Sequence, residues 1–264
     1  MNDPRLPSFD LVVATVGRTE EPIRLLASFE RQTHQDFRVL LVDQNDDERL
    51  AGLRGARVEV VRAPRGLSRA RNTALPRVAA DVVAFPDDDC TYPADLLERV
   101  ARRFADDPNL DGLTGRDQNE GWARDGAPLT RANVWNRAIS FTIFLRRSIV
   151  EHVGAFDERL GLPSSSGEEI DYLIRAIDAG ARVVYDPSLV VTHAATSRPL
   201  VQLGARDGTS VGYILRKHRY PPRTIAQMLA RPAGGTVLAL ARGDANRARF
   251  HLATMRGRLR GYRT

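Results

Sequence analysis

Short apolar runs alternate with helical patterns through the first hundred residues, and this alternation restricts the chain more than any other feature. A strand, an amphipathic helix and another strand form a βαβ unit, and repeated units close on a mostly parallel sheet with helices on its faces. Residues 10–16 read as a buried strand, and residues 20–32 as a helix with Pro22 in its first turn. Strands over 37–43 and 58–62 follow, then a helix over 68–75, a strand over 82–85 and a helix over 93–104. Beyond Gly115 the pattern weakens. Residues 116–135 are rich in Gly, Asn, Asp and Arg, as expected of loops that wall a site. Residues 139–145 read as a strand, 147–153 as a short helix closed by Gly154, and 168–179 as a helix ending at Gly180. Residues 183–185 and 189–192 read as two late strands.

The 264 residues suit one large domain, or a domain of about 190 residues with an appendage. With 42% hydrophobic and 27% charged residues, the composition is globular and excludes a wholly disordered or collagen-like chain. The lone Cys90 forms no internal disulfide and points to a reducing compartment. No apolar run reaches the length needed to cross a bilayer, and the opening MNDPRLPSFD lacks the apolar stretch of an export signal, so the expected location is cytoplasmic. The net charge of +6 hides an asymmetry. Residues 1–194 carry −6, whereas residues 195–264 hold 13 Arg and Lys217 against only Asp207 and Asp244, giving +12. The expected organisation is therefore an acidic body over 1–194 and a basic, mainly helical extension over 195–264.

Asp87, Asp88 and Asp89 follow directly on the apolar strand that ends at Phe85. Ligands of open α/β sheets gather at the carboxyl ends of strands, where this triplet falls. Strand alternation points Asp87 and Asp89 to one side and Asp88 elsewhere. Two converging carboxylates repel unless a cation lies between them, and a hard ion such as Mn²⁺ or Mg²⁺ carrying substrate phosphates suits them; a solvated acidic turn before the next helix is the plainer alternative. A second acidic group, Glu168, Glu169 and Asp171, opens a helix after Ser164-Ser165-Ser166-Gly167, where carboxylates are also favoured simply by the helix dipole.

Several blocks, taken in order, resemble the inverting glycosyltransferases of family 2, which have the GT-A fold. Val12-Val13-Ala14-Thr15-Val16-Gly17-Arg18 looks like that family's opening strand and turn, and Gln32-Thr33 like the close of its first helix. Val42-Asp43-Gln44-Asn45 is similar to its "VDxxS" strand end, Gly66 to Asn72 to "GxxxARN", and Phe85 to Asp89 to the strand carrying "DxD". Gly154 to Glu158 resembles "GGFDE". Gly167 to Asp171, with Arg175 and Gly180, resembles "GEDxDLxxRxxxxG", and His193 stands where the family often has a histidine. The resemblance spans roughly residues 10–195. It implies an α/β GT-A fold with a C-terminal helical extension, and transfer of a sugar from a nucleotide-diphosphate donor to an acceptor hydroxyl, in cell-surface polysaccharide or glycolipid synthesis. It further implies metal ligation by Asp87, Asp89 and His193, and nucleotide-sugar binding by Thr15, Arg18, Asp43, Arg71, Asp87 and Asp88. Glu169 becomes the general base, with Glu168 as the second choice and Asp171 as a helix-start or acceptor-hydroxyl contact; Trp122, Asn133 and Trp135 lie on the acceptor side. Two departures stand out: Glu169 where Asp is usual, and Val16-Gly17-Arg18 where Tyr-Asn-Arg is frequent. The first keeps open a GT-A protein that binds nucleotide sugar with little or no transfer.

The extension shows helical patterns with breaks expected at Pro221-Pro222, Pro232 and Gly234-Gly235. Ala241, Ala245, Ala248, Leu252, Met255 and Leu259 share one stripe at helical period, flanked by Arg242, Arg249, Arg256 and Arg260 on one side and Arg247 and Arg258 on the other. That layout fits either a helix lying on an anionic membrane, suited to a lipid-linked acceptor, or one packed on the acidic body. A dehydrogenase or P-loop fingerprint after the first strand is missing, and so is a nucleic-acid recognition motif; no nucleic-acid partner is expected. The number of subunits is left open.

Overall fold

The computed structural model describes residues 6–119, 121–161, 166–193 and 199–264. The chain divides into two compact units, Met1–Asp157 with Tyr172–Ala194, and Glu158–Asp171 with Ala195–Thr264.

The first unit is built on one mixed sheet. β1 (Phe9–Thr15), β2 (Phe37–Asp43), β3 (Val58–Arg62) and β4 (Val82–Ala84) run parallel in the spatial order β3-β2-β1-β4. β1 and β2 are buried along nearly their whole length, which is why they read as continuous apolar runs. The connections are α1 (Glu20–Glu30) and α2 (Leu67–Ala74). Past β4 the sheet continues through β5 (Cys90–Thr91), α3 (Leu96–Asp106), β6 (Gly112–Asp117), β7 (Ala127–Pro128), β8 (Phe144–Arg146), α4 (Arg147–Val153), α5 (Glu168–Asp178) and β9 (Val183–His193), completing the order β4-β8-β6-β9-β5 with β7 on β9. β8 runs antiparallel to both its neighbours, whereas β6 and β9 are parallel. The division between the units falls within α5, between Asp171 and Tyr172.

Two expectations change. The strand expected over 139–145 starts only at Phe144, because Ser140–Thr142 forms a 3₁₀ turn. Thr142 Oγ1 donates to the Ile139 carbonyl, the kind of local hydroxyl bond that competes with a ladder. The two late strands are one strand, β9, whose pairing with β6 shifts register between Thr114 and Arg116. Gly115 sits at that shift, where a Cβ would overlap the Leu189 carbonyl.

The second unit contains α6 (Leu200–Lys217), α7 (Pro222–Ala241) and α8 (Ala245–Arg263). α6 and α8 run in the same direction with their backbones in contact: Gly204 faces Phe250 and Thr254, Gly208 faces Thr254 and Arg258, and Gly212 faces Arg258 and Tyr262. A Cβ on Gly212 would overlap the Arg258 carbonyl, and one on Gly261 the Thr209 carbonyl. The spacing of four residues between Gly204, Gly208 and Gly212, matched by Gly257 and Gly261, repeats one helix face each turn, so side-chain-free ridges meet.

α7 runs antiparallel to α8, with Gly235 against His251 and Met228 against Arg258. Pro221-Pro222 does separate α6 from α7, but neither Pro232 nor Gly234-Gly235 interrupts α7. A proline inside a helix has no N–H for the carbonyl four residues earlier, here that of Met228. Arg258 Nη1 donates to that very carbonyl, so the second helix repairs the vacancy in the first. The break falls instead at Gly243, which takes φ 72°, and Asp244 then caps α8 by accepting from the Arg247 N–H at 2.9 Å. The stripe expected over 241–259 is thereby split. Ala241 ends α7, Ala248 is buried, and α8's buried face runs through Ala248, Thr254, Gly257 and Gly261. Arg258 turns inward, away from the flank where it was expected.

Candidate active site

Parallel strands end together, so β1, β2 and β4 deliver their C-terminal residues to one edge of the first unit. Thr15 lies opposite Asp43 in the β1–β2 register, and Asp87 bridges to Ala14 where the backbone leaves β4. Gly17 N donates to Asn45 Oδ1 at 2.6 Å, and Gln44 N to the Thr15 carbonyl at 3.1 Å, which ties the two strand ends together. Asp43 is buried, accepts from the Asn45 amide and side chain at 2.9 and 2.7 Å, and pairs with Arg62 Nη1 at 2.9 Å.

Asp87 and Asp89 do face a common partner, but through a turn and not by strand alternation: β4 ends at Ala84, and Asp88 and Asp89 lie in the turn before β5. Asp88 accepts from Arg18 Nη1 at 2.5 Å, and Arg18 also reaches Asp89 Oδ2 at 2.7 Å. Asp89 and Asp87 turn toward His193 at the end of β9, whose Nε2 lies 3.0 Å from Asp89 Oδ1 and 3.9 Å from Asp87 Oδ2. Pairing of Cys90 with His193 across β5 and β9 sets that approach. The imidazole stacks on Phe141 at 4.7 Å between centroids, 6° from parallel. The environments move the titrations in different directions. Burial raises the Asp88 carboxyl, outweighing the Arg18 charge. Burial also opposes ionisation of Asp89, yet the His193 hydrogen bond and the charges of His193 and Arg18 hold it below the ordinary range. The bond to Asp89 raises His193.

Behind Asp87 stands Arg71, only 1% exposed. Its Nη2 reaches Ser140 Oγ at 3.1 Å and Asp87 Oδ1 at 3.5 Å, while Ser140 Oγ donates to the same carboxylate oxygen at 2.8 Å. The guanidinium lies beside the edge-to-face pair of Phe85 and Phe156, 5.5 and 5.4 Å from their centroids. Two such contacts are worth roughly 0.5–2 kcal/mol each when desolvated. Asn72 fixes the arrangement: its side chain accepts from the Phe156 N–H at 2.7 Å and donates to the Phe156 carbonyl at 3.0 Å. The blocks around Arg71 and Phe156, far apart in sequence, are therefore one structural device.

The donor set of Asp87, Asp89 and His193, two hard carboxylates and one imidazole, has the chemistry of a Mn²⁺ or Mg²⁺ site. Among the described residues no three His, Cys, Asp or Glu side chains already stand in ligating geometry. Here the positive charge beside Asp88 and Asp89 comes from Arg18, and a cation held by these side chains would replace the Asp89–His193 hydrogen bond.

The sheet matches a known architecture. Residues 10–163 match the model of the glycosyl transferase family 2, more than half of the chain. The chain belongs to glycosyl transferase family 2. Two pre-mycofactocin glycosyltransferases, from two strains of Mycobacterium tuberculosis, are each 30% identical over 154 residues. That is 52% of this chain, and the chain spans about a third (32%) of their length. Among solved structures, the mannosyltransferase PcManGT from Pyrobaculum calidifontis, in complex with GDP-Man and Mn²⁺, superposes with a TM-score of 0.69 at 17% identity, covering 96% of this chain and 87% of its own. S. aureus TarS follows at 0.62 and 16%, covering 94% of this chain and 55% of its own. These likenesses establish the fold as GT-A with C-terminal helices.

The family 2 match takes in Thr15, Arg18, Asp43, Arg71 and the three aspartates, and stops short of Glu168, Glu169, Asp171 and His193. In the second unit, Glu168 is buried, whereas Glu169 is half-buried. Asp171 is fully buried, and its Oδ1 meets Lys217 Nζ at 2.6 Å and His218 Nε2 at 2.7 Å, an anchor between the start of α5 and the end of α6. On the expected acceptor side, Asn133 braces its own turn, accepting from Thr130 N at 2.8 Å and donating to the Pro128 carbonyl at 3.0 Å. Trp135 is half-buried in the adjoining 3₁₀ turn, and Trp122 lines a cavity of about 680 Å³ with Arg116, Gln118 and Arg124. Sequence patterns gave no signal for Ser140 and Phe141, whose roles arise from a turn that only the folded sheet presents to Asp87 and His193.

Proposed function

We propose that this family 2 chain moves a sugar from a nucleoside-diphosphate donor to an acceptor hydroxyl with inversion at the anomeric carbon, using Mn²⁺ or Mg²⁺ held by Asp87, Asp89 and His193. The observation that carries it is the convergence of these three side chains beside the Thr15–Asp43 strand ends. A structure of similar fold was solved with GDP-Man and Mn²⁺, which supports both the donor class and the ion. When bound, the cation neutralises charge on the departing diphosphate. Arg71 and Ser140 hold Asp87 in position, and Arg18, shared between Asp88 and Asp89, offers a second positive charge to the donor. Thr15 and Asp43 line the nucleotide side. Glu169 removes the acceptor proton: it is the more accessible of the two glutamates, as a base that must meet a hydroxyl has to be. Asp171 keeps that turn in place through Lys217 and His218. Residues 1–194 form the catalytic portion, and Trp122, Asn133 and Trp135 contribute to the acceptor side.

The acceptor class that suits the basic extension is a lipid-linked or polysaccharide glycan of the cell envelope, met on the cytoplasmic side. Among the described residues no helix is long and apolar enough to cross a membrane. Screening nucleoside-diphosphate sugars by thermal shift, with and without Mn²⁺, tests the proposal. One donor raising the melting temperature only with the metal is the expected result; no response to any donor in either condition contradicts it. Donor binding without transfer to any acceptor would favour the binding-only alternative that Glu169 in place of Asp keeps open.

A further inference from the structure

We infer that the outer face of α7 docks the chain onto an anionic lipid surface, with Val237, Leu238 and Leu240 entering the interface and arginines meeting the headgroups. These three side chains are 68%, 52% and 61% exposed, although each is large and apolar and all fall within four residues. Their helix buries Pro232 and Ala239 on its inner side, so the outer face is left without a partner in this unit. A cluster of this kind is costly in water and marks a contact surface.

Charge indicates what covers it. α7 contains no acidic residue, and residues 222–264 carry nine arginines against Asp244 alone, which is already committed to capping α8. Arg231 and Arg242 lie seven residues before and four after Leu238, on the same helical stripe, and Arg223 lies fourteen before Val237. Arg247 and Arg249 are exposed just beyond the Gly243 turn. An apolar strip with long-stemmed guanidinium groups before and after it on the same stripe is the pattern of a helix lying in a headgroup layer. A second copy is a poor occupant, because a symmetric α7 contact brings two sets of arginines together. A nucleic acid would satisfy the arginines but leave the apolar strip uncovered. The contact proposed is therefore carried by α7, and not by the split stripe of α8. It extends the lipid-linked acceptor proposal, and its test needs no sugar transfer, so the two can fail separately.

The full chain is floated at physiological salt with vesicles of equal parts phosphatidylglycerol and phosphatidylcholine, and with phosphatidylcholine alone. The protein should rise with the anionic vesicles and at least tenfold less with the neutral ones. The triple variant Val237→Gln/Leu238→Gln/Leu240→Gln should lose at least tenfold in partition while keeping its melting temperature, since all three side chains are exposed. Should it melt early, Arg242→Gln/Arg249→Gln replaces it, with a severalfold loss and a shallower salt dependence expected. Wild-type protein that stays with the dense fraction overturns the inference. So does a triple variant that floats like wild type, which would leave a purely polyanionic partner, or a wild-type dimer that the triple variant dissolves without any vesicle binding.

Discussion

The sheet unit and the helical unit are held together in opposite ways. At the ends of β1, β4 and β9, charged side chains from distant segments face one another: Arg18 with Asp88 and Asp89, His193 with Asp89, and Arg71 with Asp87. In α6 and α8 side chains are absent where it matters, and glycine ridges bring carbonyl groups against Cα atoms. The first arrangement can trade its internal ion pairs for a ligand; the glycine contacts of α6 and α8 have nothing to trade and serve as scaffold. Substitutions should then separate cleanly, with ligand and turnover defects from the first unit and melting defects from the helix contacts.

The largest expected effect is on turnover, at Glu169. Glu169→Gln should lower kcat by about 10²–10⁴, the usual worth of a positioned base, with donor affinity unchanged. Near-normal turnover would remove Glu169 from the base role. Arg71→Met keeps bulk against Phe85 and Phe156 but deletes the charge behind Asp87. Measured by calorimetry, Mn²⁺ affinity should fall roughly 10–100-fold, as loss of an outer-shell partner does. Gly261→Ala should destabilise by about 1–3 kcal/mol through overpacking against Thr209, read as a lower melting temperature with donor binding intact at low temperature. A donor defect in Gly261→Ala, or a melting defect without a metal defect in Arg71→Met, would break the contrast.

The smallest effect is a pH dependence. His193 is raised by its bond to Asp89, so its contribution to stability is full below its ordinary value near 6.5 and is lost as pH climbs through the higher folded value. Asp89 is held low, so its contribution is present above the ordinary carboxylate value and is lost only as pH falls through the depressed one. A metal needs neutral imidazole, so Mn²⁺ affinity should rise over the same window above pH 6.5 in which the metal-free protein loses stability. A flat affinity across that window would exclude His193 as a ligand.

The same contrast explains what could be read from sequence. The parallel strands were legible because burial on both faces demands continuous apolar runs; the aspartates were legible as a group at a strand end, but their orientation comes from the turn over Asp88 and Asp89 and not from a strand period. The partners of those aspartates were less so: Ser140 and Phe141 lie in a turn whose hydroxyl bonds override a strand-like pattern. In the helical unit, Pro232 and Gly234-Gly235 read as breakers. Part of what a proline costs a helix is the carbonyl it leaves without a donor, and Arg258, twenty-six residues later, satisfies that carbonyl. Glycine is a poor helix former in isolation, yet the four-residue spacing of the glycines in α6 and α8 is what allows the helices to touch. Long-range compensation of this kind leaves no local signature.

Asp87, Asp89 and His193 are proposed to form a cation site that works together with a nucleoside diphosphate. Titration of Mn²⁺ into the wild-type chain and into Asp89→Asn, each with and without GDP or UDP, tests it most directly. The nucleotide should tighten Mn²⁺ binding in the wild type, and the substitution should abolish that coupling while lowering the melting temperature of the metal-free protein only by what the Asp89 pairs with His193 and Arg18 contribute. Equal, nucleotide-coupled Mn²⁺ binding in both proteins would contradict it.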